Sequence, residues 1–157
     1  AKNLGIGGVK NSFPVGTQYG LGFCMKLPYD IDISFPIKLN LAFVGNNENA
    51  GIANWILRYN MTTANDDIYL DYGDSPLNLS TTQTTSKMVS FGANQHNKDK
   101  RTSLRVNINK VLPVTPNYII WLSLERDPGD TYSGAMNLIM MESEYVSWNN
   151  GKHLSYF

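Results

Sequence analysis

Residues 118–145 read YIIWLSLERDPGDTYSGAMNLIMMESEY, and this stretch decides the fold. Ile119, Trp121 and Ser123 oppose Tyr118, Ile120, Leu122 and Leu124, so the segment predicts a strand that is apolar on both faces and therefore central in its sheet. Asp127-Pro128-Gly129-Asp130 is a turn signal, in which proline presets one backbone dihedral and glycine is expected to take a positive one. Met136 to Tyr145 is a second long apolar run. Two apolar strands joined by such a turn cannot hide their surfaces alone; they need a second layer.

Working outward, period-two alternation recurs. Leu104, Val106 and Ile108 alternate with Arg105, Asn107 and Asn109, the pattern of a strand with one wet face. Ile37, Leu39, Leu41 and Phe43 alternate with Lys38, Asn40 and Ala42. Tyr19, Leu21, Phe23 and Met25 alternate with Gly20, Gly22, Cys24 and Lys26, giving a half-buried strand with small residues on its second face. Ile31, Ile33 and Phe35 predict a further short strand that Pro36 interrupts. After the turn cluster 46–51, the run from Ile52 to Tyr59 fits helical and strand spacing alike; its shortness and aromatic content favour a strand. Ile68, Leu70 and Tyr72, and then Met88 to Phe91, add two more. Residues 78–86 are almost all Thr, Ser and Gln, suiting a loop or a polar edge strand. The expected fold is thus an all-β antiparallel β-sandwich, a jelly roll of eight or nine short strands. Residues 1–17, with four glycines and Pro14, predict a flexible N-terminal arm. Residues 18–157 form a single domain.

The 157 residues carry 13 basic and 13 acidic side chains. With 18 Asn, 12 Ser and 10 Thr, the polarity is neutral and not ionic. No basic excess marks a nucleic-acid partner or an anionic membrane surface, and no stretch approaches the roughly 18 apolar residues of a spanning helix. The reading therefore expects no nucleic acid and no membrane insertion. A lone Cys24 excludes an internal disulfide framework, and it is expected as a small buried thiol.

Chemistry is sparse. His96 and His153 have no second histidine at metal-ligand spacing and are expected as solvated side chains. No nucleophile elbow or phosphate-cradling loop occurs. Asp66, Asp67, Asp71 and Asp74, then Asp127 and Asp130, offer oxygens to calcium, against the simpler reading that they bond nearby backbone amides in turns. Asn60-Met61-Thr62 and Asn78-Leu79-Ser80 match the glycosylation sequon at a rate chance explains. No catalytic residue, no cofactor and no metal is expected, and an enzyme, such as a β-sandwich hydrolase, ranks last. Trp55 and Trp121 belong to strand patterns and predict core. Trp148, Asn149 and Tyr156 are the candidate ligand or partner contacts, because aromatic faces beside amide donors suit both sugars and subunit interfaces.

The apolar strand ending in Arg126-Asp127, the turn Gly129-Asp130-Thr131-Tyr132-x-Gly134 and the apolar strand ending in Tyr145 resemble the final hairpin of jelly-roll virion structural proteins of tailed bacteriophages, of the head-fibre, decoration or tail-fibre type. The resemblance covers under a third of the chain. It implies a non-enzymatic structural or attachment protein located in the virion, homo-oligomeric and trimeric, with other virion proteins and a host surface glycan as partners. The alternative from a different class is a carbohydrate-binding module or lectin using loop aromatic and Asn/Asp residues.

Overall fold

The computed structural model of the chain describes residues 2–6, 11–17, 19–28, 30–62, 82–108 and 119–148. Nine strands run through these residues: β1 (Lys2–Ile6), β2 (Asn11–Phe13), β3 (Gly20–Lys26), β4 (Ile37–Gly45), β5 (Gly51–Thr62), β6 (Gln83–Phe91), β7 (Lys100–Val106), β8 (Ile119–Arg126) and β9 (Met136–Tyr145). They form two antiparallel sheets. The first has the order β1-β9-β4-β7, with β2 also paired to β9; the second has the order β3-β8-β5-β6. The architecture is the β-sandwich that the alternating pattern predicts, and β8 lies inside its sheet as its two apolar faces require.

Inward-facing side chains of both sheets meet in one core. Ile37, Leu39, Leu41 and Phe43 of β4 and Leu104 and Val106 of β7 are buried from one side, Trp55 and Leu57 of β5 and Ile120, Leu122 and Leu124 of β8 from the other. Each such side chain contributes about 1.5–3 kcal/mol by leaving water. An aromatic chain threads the interface. Trp55 sits edge-on to Phe13 at 4.9 Å and to Phe43 at 5.2 Å, Phe43 reaches Phe91 at 6.2 Å, and Phe91 stacks on Tyr132 at 4.1 Å.

A buried charge fixes one end of this core. Arg126 shares the inward parity of Leu122 and Leu124 and is 1% exposed. Its guanidinium makes a two-pronged pair with Asp130, Nε to Oδ2 at 2.8 Å and Nη2 to Oδ1 at 2.7 Å. Nη1 donates to the carbonyls of Gly134 at 2.6 Å and Phe13 at 3.3 Å, and Nη2 donates to the carbonyl of Tyr132. All five N–H groups are thereby spent, which is the condition for tolerating a buried guanidinium. Tyr132 is pinned in turn: its hydroxyl donates to the Asn47 carbonyl at 2.9 Å and accepts from the Asn47 amide at 3.0 Å. The amides of Thr131 and Tyr132 both bond the Ile52 carbonyl at 3.0 Å. Gly45, Gly51 and Gly134 surround this tyrosine, and a Cβ at Gly51 would lie 2.7 Å from Tyr132 Cα and 2.8 Å from the Thr131 carbonyl oxygen. The turn from Gly129 to Gly134 is thus the clamp joining the β8–β9 connection to β2 and β5.

Four expectations change. Within the expected flexible arm, β1 pairs with Met141–Tyr145 and β2 with Met136–Leu138 of β9; backbone hydrogen bonds and the buried Phe13 supply what the glycine-rich composition hides. Ile31, Ile33 and Phe35 do not make a strand: only Ile31 bridges, to Ser147, and the chain then turns before Pro36. Met88–Phe91 is the end of a longer strand that reaches back to Gln83, so the polar run 83–86 is edge strand. The Asp127–Asp130 turn closes through the Asp130 amide on the Asp127 carbonyl at 3.3 Å, yet Gly129 keeps an ordinary φ; among described glycines only Gly16, at 67°, is left-handed. The predicted strand at 68–72 lies outside the described residues.

Candidate recognition surfaces

Trp148 stands at the rim where β9 ends. The Asp30 side chain, 2% exposed, receives the Tyr145 hydroxyl on Oδ1 at 3.1 Å and the Ser147 hydroxyl on Oδ2 at 2.6 Å. Backbone bonds run alongside, from the Trp148 amide to the Asp30 carbonyl at 3.0 Å and from the Asp32 amide to the Val146 carbonyl at 2.8 Å. The Phe35 amide closes a turn on the Asp32 carbonyl at 3.2 Å. This scaffold leaves three apolar side chains in water: Trp148 is 59% exposed, Phe35 50% and Val146 36%. Holding a tryptophan out on a hydrogen-bonded segment presents a firm contact surface, and large apolar groups kept in water commonly mark interaction sites. Asn149 and Tyr156, proposed with Trp148 from the sequence, lie outside the described residues.

A second surface was not visible in the sequence. On the outer face of the first sheet, Asn40 of β4 lies opposite Ser103 of β7 and Glu142 of β9. Ser103 Oγ donates to Asn40 Oδ1 at 2.6 Å, and Asn40 Nδ2 donates to Glu142 Oε1 at 3.3 Å. In the next cross-strand row, Ala42 lies between Arg101 and Met140. Its single methyl group leaves a depression of about 290 Å³ among these neighbours. The pairing slips there: Ala42 faces Met140 but Phe43 faces Leu138, so Ile139 is an extra, bulged residue. Such bulges re-aim side chains. Here the bulge changes the inward parity of β9 from Met136 and Leu138 to Met141, Ser143 and Tyr145, and leaves Ile139 46% exposed.

The ionisable groups named from the sequence have structural partners or open settings. Asp127 accepts the Gly129 amide at 2.9 Å and the Asn54 side-chain amide at 3.1 Å. Those donors, the Gly129 amide foremost, hold its carboxyl below the ordinary range. Asp127 and Asp130 therefore do turn and ion-pair chemistry, while Asp66, Asp67, Asp71 and Asp74 lie outside the described residues. Among the described residues no group of three His, Cys, Asp or Glu side chains is placed to hold a metal ion. Arg101 is held protonated more firmly than usual by its hydrogen bond and charge pairing with Asp99, at 2.9 Å, with Glu142 adding to the attraction. On the outer face of the second sheet, buried Glu125 receives Arg58 Nε at 3.3 Å and Ser123 Oγ at 3.2 Å.

Two side chains depart from expectation. Cys24 is exposed, not buried, because it belongs to the outward parity of β3 with Gly20 and Gly22. His96 is half-buried with Nδ1 shut away and without a hydrogen-bond partner, so it is not a freely solvated imidazole. Trp55 is fully buried as predicted, whereas Trp121, on the outward face of β8, is half-buried. Asn60 of the first sequon is 2% exposed within β5, which removes it as a glycan acceptor. His153 and the second sequon lie outside the described residues.

Comparison with protein-family models, with curated proteins and with solved structures finds no match for this chain.

Proposed function

We propose that this chain is a non-enzymatic structural or attachment protein of a virus particle, a jelly-roll subunit that acts by assembling with copies of itself and with other virion proteins. The strand order supports the jelly-roll part. With β1 and β2 taken as one interrupted strand along β9, the first of eight strands pairs with the eighth, the second with the seventh, the third with the sixth and the fourth with the fifth. A long antiparallel ribbon rolled into two sheets gives this winding, which capsid and lectin domains share. Threefold symmetry is what the phage resemblance implies.

The observation that carries the functional reading is the rim of Phe35, Val146 and Trp148, three apolar side chains held in water by a buried polar scaffold. Covering such a rim with a neighbouring subunit returns the free energy that its exposure costs. Light scattering over a concentration series tests this. A multiple of the protomer mass is expected, falling toward one protomer in the variant Phe35→Ser/Trp148→Ser. A wild-type monomer at every concentration, or an oligomer untouched by the double variant, defeats the reading.

A further inference from the structure

From the outer face of the first sheet we infer a second binding site, for a neutral saccharide, in the depression over Ala42. It is separate from the Trp148 rim and independent of the assembly reading. Three features point to a built site. The row Ser103–Asn40–Glu142 is an ordered hydrogen-bond chain across three strands, with the Ser103 and Asn40 contacts at 2.6 Å and 3.3 Å fixing each side chain before any ligand arrives. Strands about 4.8 Å apart space these groups over roughly 10 Å, the reach of a mono- or disaccharide. The floor is made by the one small residue in the next row, Ala42, and the wall beside it is shaped by the bulge at Ile139.

The chemistry of the lining selects the ligand class. Arg101 and Glu142 contribute one charge of each sign, and Arg101 already leans on Asp99. The neighbouring row adds Lys38 and Arg105 opposite Glu144, with Lys38 Nζ 3.5 Å from Glu144 Oε1, and Asp99 beside Arg101 brings the two signs level across this part of the face. A strongly anionic or cationic ligand gains little from such a surface. A ring bearing hydroxyls gains more. Its O–H groups donate to the free Glu142 oxygen and accept from Arg101 and the second Asn40 N–H, while its C–H face lies against Met140 and Ala42. Such sites pair an apolar surface with a few placed polar groups.

A glycan array probed with the full chain tests the assignment. Binding to a subset of neutral glycans is expected. Ala42→Leu, which fills the depression, should lose it, and Glu142→Gln should weaken it about tenfold by replacing a charge-assisted hydrogen bond with a neutral one. An unchanged thermal midpoint establishes that Ala42→Leu is folded; if it is not, Arg101→Gln on an exposed side chain serves in its place. Absence of glycan binding overturns the proposal. So does binding that survives both groove variants and is lost in Trp148→Ala, which would place the sugar at the rim.

Discussion

Removing the Asp130 carboxylate should cost more stability than removing the acid of any other ion pair described above. The Arg126 guanidinium is 1% exposed and the Asp130 side chain 3%, so water cannot replace the lost partner. Asp130→Ala strips two of the five guanidinium bonds and also the acceptor of the Asn54 amide at 3.1 Å. Breaking a buried ion pair from one side costs about 3–5 kcal/mol, a large part of the 5–15 kcal/mol that typically holds a domain folded. With a urea dependence near 2 kcal/mol per M, the unfolding midpoint should fall by about 2 M. Added salt should change the difference little, because a buried pair is poorly screened. Arg126→Met/Asp130→Ala removes both charges and should recover only part of the loss. The carbonyls of Phe13, Tyr132 and Gly134 then lose their donor, at about 1 kcal/mol each. Asp99→Ala, at an exposed pair, should leave the midpoint in place. If Asp130→Ala unfolds within about 0.3 M of wild type, a shift worth well under 1 kcal/mol, the clamp reasoning is wrong.

Gly51→Ala should destabilise by about 1–3 kcal/mol, since the new methyl meets the backbone of Thr131 and Tyr132 and no rotamer can yield; a midpoint unchanged in the same urea titration would show that the clamp has slack. Cys24 should react fully with a thiol reagent in the native protein, without denaturant; labelling only after unfolding would contradict its outward parity. The Asp127 carboxyl is depressed in the folded state, so its contribution is present above the unfolded carboxylate range near pH 4 and is lost as pH falls through the lower folded value. Asp127→Asn should therefore flatten the acid limb of the stability curve below about pH 4, and an acid limb identical to wild type would show that the Gly129 contact confers no such dependence.

The sandwich was legible because side-chain period alone places residues inside or outside a strand, and β4, β5, β7 and β8 follow it closely. The same parity held more than was taken from it. Arg126 continues the inward series of Ile120, Leu122 and Leu124, and an acid four residues on at Asp130 was the available signal for a buried pair. The bulge in β9 was also written in the sequence, since Met136 and Leu138 are even-numbered and Met141 and Tyr145 odd. The strand character of β1 and β2 was not legible, because their order comes from pairing with β9, a partner more than a hundred residues away. The groove was equally hidden. Asn40, Ser103 and Glu142 are unremarkable in sequence, and only register makes them neighbours. Trp148 could be picked out because a large aromatic in a polar stretch has no local apolar face to join.

Acrylamide quenching of Trp148 over a dilution series puts the assembly claim to its most direct test. In a Trp121→Phe background the remaining comparison is with Trp55, which is fully buried, against Trp148, which is 59% exposed in the isolated chain. Shielding of Trp148 at high protein concentration that is lost on dilution is the predicted result. Equal quenching at every concentration would mean that no partner subunit covers the rim.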